Sequence, residues 1–196
     1  LTIMPMCPGT SARLAAQWYA TRLQELMAQR QSFRQALDAL CRTLSASRGK
    51  DPIWVAMTAI RIRPDGETTI LSHEMPPPLL LEGTHATTLP SRPSNRGGCI
   101  VEETLCHLHP GTGIVFFSDG VAQSGLHQNR VLGWESKEIA SAITQWLREG
   151  AGVTEVPDRV HREARRRWLS EAGDDISVGG LFCREGLEVI FFGPAV

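Results

Sequence analysis

Gly113-Ile-Val-Phe-Phe-Ser-Asp-Gly-Val-Ala-Gln-Ser-Gly125 is the stretch on which the chain is organised. Ile114 to Ser118 is apolar, aromatic and β-branched, and too short for a helix, so it reads as a short buried strand. The strand runs into Asp119-Gly120, where the chain must turn. It therefore lifts one carboxylate to its end, and the glycine lets another group approach the backbone closely. A second acidic point, Gly173-Asp-Asp-Ile-Ser177, leads into the apolar run Ile176 to Cys183. Two strand-end carboxylates that meet in space are what a hard cation such as Mg2+ or Mn2+ requires. Taken singly, each point is explained as well by turn chemistry, with Asp119-Gly120 as a plain turn and Asp174 and Asp175 as plain loop.

Upstream of this strand the pattern is mixed. Residues 1–10 read as a strand breaking at Pro5, Pro8 and Gly9, with Thr10 or Ser11 as cap of the next helix. Ala12 to Arg30 carries Leu14, Trp18, Leu23, Leu26 and Met27 near helical spacing. Ser32 to about Leu44 repeats the pattern with Phe33, Leu37, Leu40 and Leu44, and Ser32 is its expected cap. Ile53 to Arg63 and Thr68 to Ser72 flank Pro64-Asp-Gly-Glu67, which predicts an antiparallel hairpin. The prolines of Glu74-Met-Pro-Pro-Pro78 end it. Leu79 to Leu81 is a further strand, residues 83–98 read as a polar surface loop, and Cys99 to Leu108 reads as another strand.

Downstream, Glu135 to Leu147 predicts a helix capped by Ser136 that buries Ile139, Ile143, Trp146 and Leu147. Pro157 opens another helix, to about Leu169, carrying Arg162 and Arg165-Arg-Arg167. That basic run reads as a solvated face, because no matching basic or aromatic platform accompanies it. Ile176 to Cys183 and Leu187 to Phe192, joined at Arg184-Glu-Gly186, are two final strands. Hairpins dominate, so the expected fold class is α+β: two mainly antiparallel sheets with helix pairs outside them, a four-layer α-β-β-α sandwich. The whole of 1–196 is expected to be a single domain.

Composition excludes several classes of function. The chain has 196 residues, 42% apolar and 21% charged, with a net charge of −1, which describes an ordinary globular protein. That balance gives no global reason to expect nucleic acid or a membrane surface as partner, and no apolar run reaches the roughly 18 residues of a membrane span. The five cysteines (Cys7, Cys41, Cys99, Cys106 and Cys183) are odd in number and irregularly spaced. Free thiols and a cytoplasmic location are expected. Cys106-His107-x-His109 offers ligands for Zn2+ but lacks a fourth partner at the usual spacing, and reads equally as a strand end entering Pro110-Gly111.

At Phe117-Ser-Asp-Gly-Val-Ala-Gln-Ser-Gly125, followed by Leu132-Gly-Trp134, the sequence resembles the sporulation stage II E (SpoIIE) type of metal-dependent protein serine/threonine phosphatase, within the PPM superfamily. Arg63-Pro-Asp-Gly-Glu67 with Met75-Pro-Pro-Pro-Leu-Leu80, Gly173-Asp-Asp-Ile-Ser177 and Gly193-Pro194 agree with it in order. The resemblance implies the α-β-β-α sandwich and a two-metal centre holding Mn2+ or Mg2+. It implies that Asp119 and Asp174 are metal ligands, with Gly120 and Asp175 as secondary candidates, and that no side chain acts as a catalytic nucleophile. It further implies hydrolysis of phosphoserine or phosphothreonine on a phosphorylated regulatory protein; homodimerisation is left open. One departure bears on activity. The family places an aspartate-glycine metal motif just before the first long helix and another acidic motif upstream, whereas here Met4-Pro-Met-Cys-Pro-Gly-Thr10 stands there and no carboxylate precedes Glu25. The family's N-terminal strands are also absent from this sequence. Thioether and thiol groups are poor ligands for hard cations. Three readings follow: an active phosphatase whose metal site is completed by further residues or a partner, a degenerate member that binds phosphoproteins or partners, and an unrelated α+β interaction domain.

Overall fold

The computed structural model describes residues 2–6, 10–47, 56–126, 133–168, 176–184 and 189–192, of which 2–6, 10–16, 44–47 and 189–192 are described as backbone only. The chain divides into two compact units. The first comprises Leu1–Ile62, Thr68–Met75 and Ser91–Leu105; the second comprises Arg63–Glu67, Pro76–Pro90 and Cys106–Val196.

The first unit carries a five-stranded sheet in the order β1-β2-β3-β7-β6. Its strands are β1 (Thr2–Met6), β2 (Ala56–Ile62), β3 (Glu67–His73), β6 (Arg92–Arg96) and β7 (Cys99–His107). The β2–β3 hairpin pairs Ile62 with Thr68 and Met57 with His73, the register that a turn at residues 63–67 imposes. Two helices, α1 (Thr10–Ala28) and α2 (Phe33–Ser47), pack their apolar residues against it. Leu23 and Leu26 of α1 and Phe33, Leu37 and Leu40 of α2 join Met57, Ala59, Leu71 and Val101 in one core. Each fully buried side chain of this size stabilises by roughly 1.5–3 kcal/mol. Ser32 caps α2 as expected: its Oγ accepts the Gln35 N–H at 3.3 Å, and its own N–H is donated to Gln35 Oε1 at 2.9 Å. This reciprocal arrangement satisfies donors the helix cannot. On α1 the expected stripe holds at Leu23 and Leu26 but not at Trp18, which is 48% exposed while its neighbour Tyr19 is buried.

The second unit carries a sheet in the order β10-β9-β8-β4-β5, again antiparallel at every pairing described. Its strands are β4 (Leu79–Glu82), β5 (His85–Thr88), β8 (Thr112–Phe117), β9 (Val178–Cys183) and β10 (Val189–Phe192). As anticipated, β8 and β9 are interior strands, and every residue of β8 is buried. Val115 and Phe117 of β8 meet Ile139, Ala140, Ile143 and Leu147 of α4 (Ser136–Arg148) and Val160 and Ala164 of α5 (Val156–Trp168). The helix α3 (Asp119–Ala122) is one turn at the end of β8.

Three expectations need correction. Residues 83–98 are not a loop: they hold β5 and β6, the rim strands of the two sheets. Ser136 does not cap α4. Glu135 occupies the cap position in extended conformation, without a side-chain bond to the helix. Trp146 is only half-buried at the margin of its core, where it meets the fully buried Trp134 edge-on at 6.5 Å between ring centres. The predicted turn Arg184-Glu-Gly186 lies mostly outside the described residues. Among the described residues, no helix is long and apolar enough to cross a membrane.

Candidate metal centre

Asp119 stands where the sequence places it, at the first position of α3 directly after Ser118 closes β8. It is half-buried. Its Oδ1 accepts the N–H of Gly120 at 3.0 Å, and its Oδ2 accepts the Gln123 side-chain amide at 3.3 Å. The carboxylate thus lies over the opening turn of the helix, held there by a backbone N–H and a side-chain amide.

The elbow is fastened from three sides. On the first side Ser118 continues the β8–β9 ladder: its N–H is donated to the Ser177 carbonyl at 2.9 Å, and its Oγ accepts the Ser177 N–H at 3.1 Å. Ser177 therefore lies beside Ser118, two residues along the chain from Asp175. On the second side Trp168, the last residue of α5, donates its indole N–H to the Gly120 carbonyl at 3.0 Å. On the third side Gly133 packs against the end of α3 so closely that a Cβ there would stand 2.1 Å from the Ala122 carbonyl oxygen. Only glycine permits that approach. This gives Gly133-Trp134 a physical role that the sequence pattern alone does not supply. Trp134 is fully buried beneath the Arg167 guanidinium, which lies 4.4 Å from the indole centre.

Asp174 and Asp175, the other acidic candidates, lie outside the described residues. Glu74 follows β3 in the first unit, exposed and in left-handed backbone at φ 55°. His73 is buried, with Nδ1 2.9 Å from the Ile100 carbonyl. The Cys106-His107-x-His109 segment forms the end of β7 and the turn after it. The two imidazoles stack at 4.5 Å, and Thr112 Oγ1 both donates to the His109 carbonyl and accepts its N–H. Among the described residues, no three histidine, cysteine or carboxylate side chains gather as a metal site. The donor chemistry of Asp119 nonetheless fits a hard divalent cation: a carboxylate directly after an interior strand, with both oxygens oriented by hydrogen bonds.

The basic face of α5 is laced by ion pairs. Arg159 pairs with Glu155 at 2.9 Å, while Arg166 and Arg167 both reach Glu163, at 2.7 and 2.9 Å. The hydrogen bond from Arg166, then that from Arg167, holds the Glu163 carboxyl below the usual range against the opposing effect of burial. Cys41, Cys99, Cys106 and Cys183 are free thiols; Cys7 lies outside the described residues. Burial, and then the neighbouring Cys99, pushes the Cys41 thiol well up; burial alone takes Cys106 to about 11. Both are inert thiols at neutral pH. A groove of about 790 Å3 runs between β5 and α4, past Thr87, Lys137, Thr144 and Arg148, and no residue of the Asp119 elbow lines it.

Comparison with known proteins locates this architecture. The profile of the family Stage II sporulation protein E (SpoIIE) matches residues 8–181. A structure of the PP2C phosphatase domain with a fragment of the regulatory domain of SpoIIE from Bacillus subtilis is 16% identical, with 90% of this chain and 51% of that one covered at a TM-score of 0.65. The Bacillus subtilis SpoIIE phosphatase domain presoaked with Mn is also 16% identical, covering 85% and 74% of the two chains at 0.58. The Mycobacterium tuberculosis serine/threonine phosphatase PstP/Ppp is 14% identical over 90% and 84%, also at 0.58. No curated protein matches the sequence. The likeness to these structures establishes a PP2C-type phosphatase fold, and the profile match over most of the sequence establishes that the chain belongs to the SpoIIE family.

Proposed function

We infer that this chain is a serine/threonine phosphoprotein phosphatase domain that takes Mn2+ or Mg2+ at Asp119 and Asp174 and acts on a phosphorylated regulatory protein. The observation that carries the reading is the elbow itself: an interior strand delivers a single oriented carboxylate, and Ser177 next to it leads directly back to Asp175 and Asp174. Asp119 and Asp174 would hold a divalent cation there, which would supply Lewis acidity to phosphoryl oxygens and to a bound water. The protein's share is to hold and orient. Asp119 is kept in place through its Gly120 and Gln123 bonds, and Ser118 locks the ends of β8 and β9 together. Neither aspartate attacks phosphorus. Gly120 and Asp175 remain secondary candidates beside them.

A specific observation favours the second reading, a phosphoprotein-binding or partner-binding module. The position before α1 that the family gives to a metal aspartate is held here by Cys7-Pro-Gly9. Metal affinity is accordingly expected to be low, with an ion needed in excess. Hydrolysis of p-nitrophenyl phosphate and of a phosphoserine peptide, measured against added Mn2+, separates the two readings. Mn2+-dependent turnover that vanishes in Asp119→Asn establishes the enzyme. Retention of the phosphopeptide without turnover at saturating Mn2+ establishes the binding module.

A further inference from the structure

A helix of one turn does not hold its own orientation, because nucleation costs more than its few internal bonds return. In α3 those bonds run to the carbonyls of Ser118, Asp119 and Val121: Val121 N–H to Ser118 at 3.1 Å, Gln123 N–H to Asp119 at 2.7 Å and Ser124 N–H to Val121 at 3.1 Å. The Gly120 carbonyl, in a buried residue, is instead taken by the Trp168 indole N–H. Trp168 is itself 9% exposed and ends a helix fixed to its sheet by Val160 and Ala164. The bond therefore ties the Gly120–Val121 peptide, in the turn that Asp119 opens, to a distant element, 48 residues away in sequence.

We propose that Trp168 is a positioning residue for Asp119: its indole N–H fixes the Gly120 peptide and thereby the direction in which the Asp119 carboxylate is offered to a divalent cation. The inference rests on the metal-binding role given to Asp119 above. Among apolar aromatic side chains only tryptophan meets both demands of the place. Its ring fills a buried site, and its one donor satisfies a carbonyl that would otherwise be buried without a partner. Phenylalanine keeps the aromatic body and removes the donor. The freed carbonyl then seeks another partner, and the turn carrying Asp119 rotates with it.

The test is Mn2+ titration calorimetry on wild type, Trp168→Phe and Trp146→Phe, well below all three melting temperatures. The last variant makes the same ring exchange at a half-buried indole outside the elbow. The expected result is a roughly tenfold loss of Mn2+ affinity in Trp168→Phe, the effect of one buried hydrogen bond, with affinity unchanged in Trp146→Phe. Equal affinity in wild type and Trp168→Phe overturns the inference and leaves the metal role of Asp119 standing. A wild type that takes up no Mn2+ overturns the metal role and the inference with it. The indole N–H resonance of Trp168, read in the wild type, decides the matter should Trp168→Phe fail to fold. It is expected to shift on titration with Mg2+ in wild type and to stay still in Asp119→Asn. A resonance that does not move at saturating Mg2+ in wild type overturns the inference.

Discussion

The dipeptide Asp-Gly occurs twice in the second unit, and its two copies are built for different ends. At Asp65-Gly66 the carboxylate is exposed and its Oδ1 accepts the N–H of Glu67 at 3.1 Å, closing a local turn. Gly66 sits at φ 87°, and a Cβ there would stand 2.3 Å from the Leu108 carbonyl oxygen. Its own carbonyl accepts the Leu108 N–H at 2.9 Å. Here aspartate and glycine serve the backbone, closing a turn whose outside bond is to the Leu108 main chain. At Asp119-Gly120 the carboxylate is half-buried at a helix start, and the glycine carbonyl is held by a side chain from another element. The same two residues thus make a hairpin turn in one place and a presented carboxylate in the other. The surroundings decide which: a polar β-hairpin in the first case, an interior strand and a tryptophan in the second.

The largest expected effect that separates the two copies is on metal binding. On the metal role proposed for Asp119 and Asp174, Asp119→Asn should abolish the calorimetric heat of Mn2+ binding while leaving the melting temperature unchanged or higher, because removing one of two close carboxylates would relieve repulsion. Asp65→Asn should leave that heat untouched, and loss of Mn2+ binding in it would break the distinction. Next comes stability. Gly66→Ala should cost roughly 2–4 kcal/mol, from left-handed strain together with the clash against Leu108, and denaturant unfolding would show it. Asp65→Ala should cost only about 0.5–1 kcal/mol, for one exposed turn bond.

The smallest effect concerns pH. Because its arginine partners lower the pKa of Glu163 in the folded state, that carboxylate contributes stability in full above its unfolded pKa and loses it as pH falls through the folded value. Mild acid should therefore speed hydrogen exchange of the Trp168 indole, at the end of the same helix, more than exchange of the Glu67 amide in the Asp65 turn. Glu163→Gln should remove that difference, as pH-dependent exchange NMR would record.

Much of the fold was legible because its strongest signals are periodic. The heptad-like stripes of α2, α4 and α5, and the apolar runs of β8 and β9, follow directly from burial on one or both faces. The rim strands β5 and β6 were not legible for the same reason in reverse. His85-Ala-Thr-Thr88 and Arg92-Pro-Ser-Asn-Arg96 bury almost nothing, and their polar side chains and proline resemble loop composition. Trp18 misled because a helical stripe drawn from spacing is uncertain by one position, and Tyr19 was the residue turned inward. At the candidate site Asp119 was readable from an apolar run ending in a carboxylate. The fastening by Trp168, Ser177 and Gly133 was not, since each is a contact between residues distant in sequence. The one available signal was a large indole at the very end of an amphipathic helix, just before a second acidic motif.

The rim strand β5 is closed by a helix side chain. Thr144 Oγ1 of α4 accepts the Ala86 amide at 2.9 Å, and Arg148 of the same helix reaches the ring nitrogen of His85 at 2.7 Å. An outward-facing donor that a neighbouring strand would need is therefore already engaged in the native molecule. Growth of an intermolecular ladder at this rim must begin from molecules in which α4 has lifted away from β5. Its onset is then set by how often a single molecule opens, a unimolecular frequency, and collisions between intact copies do not start it. Crowding native molecules together should accordingly do little harm at this end of the sheet, whereas a change that loosens α4 should free the Ala86 donor for pairing.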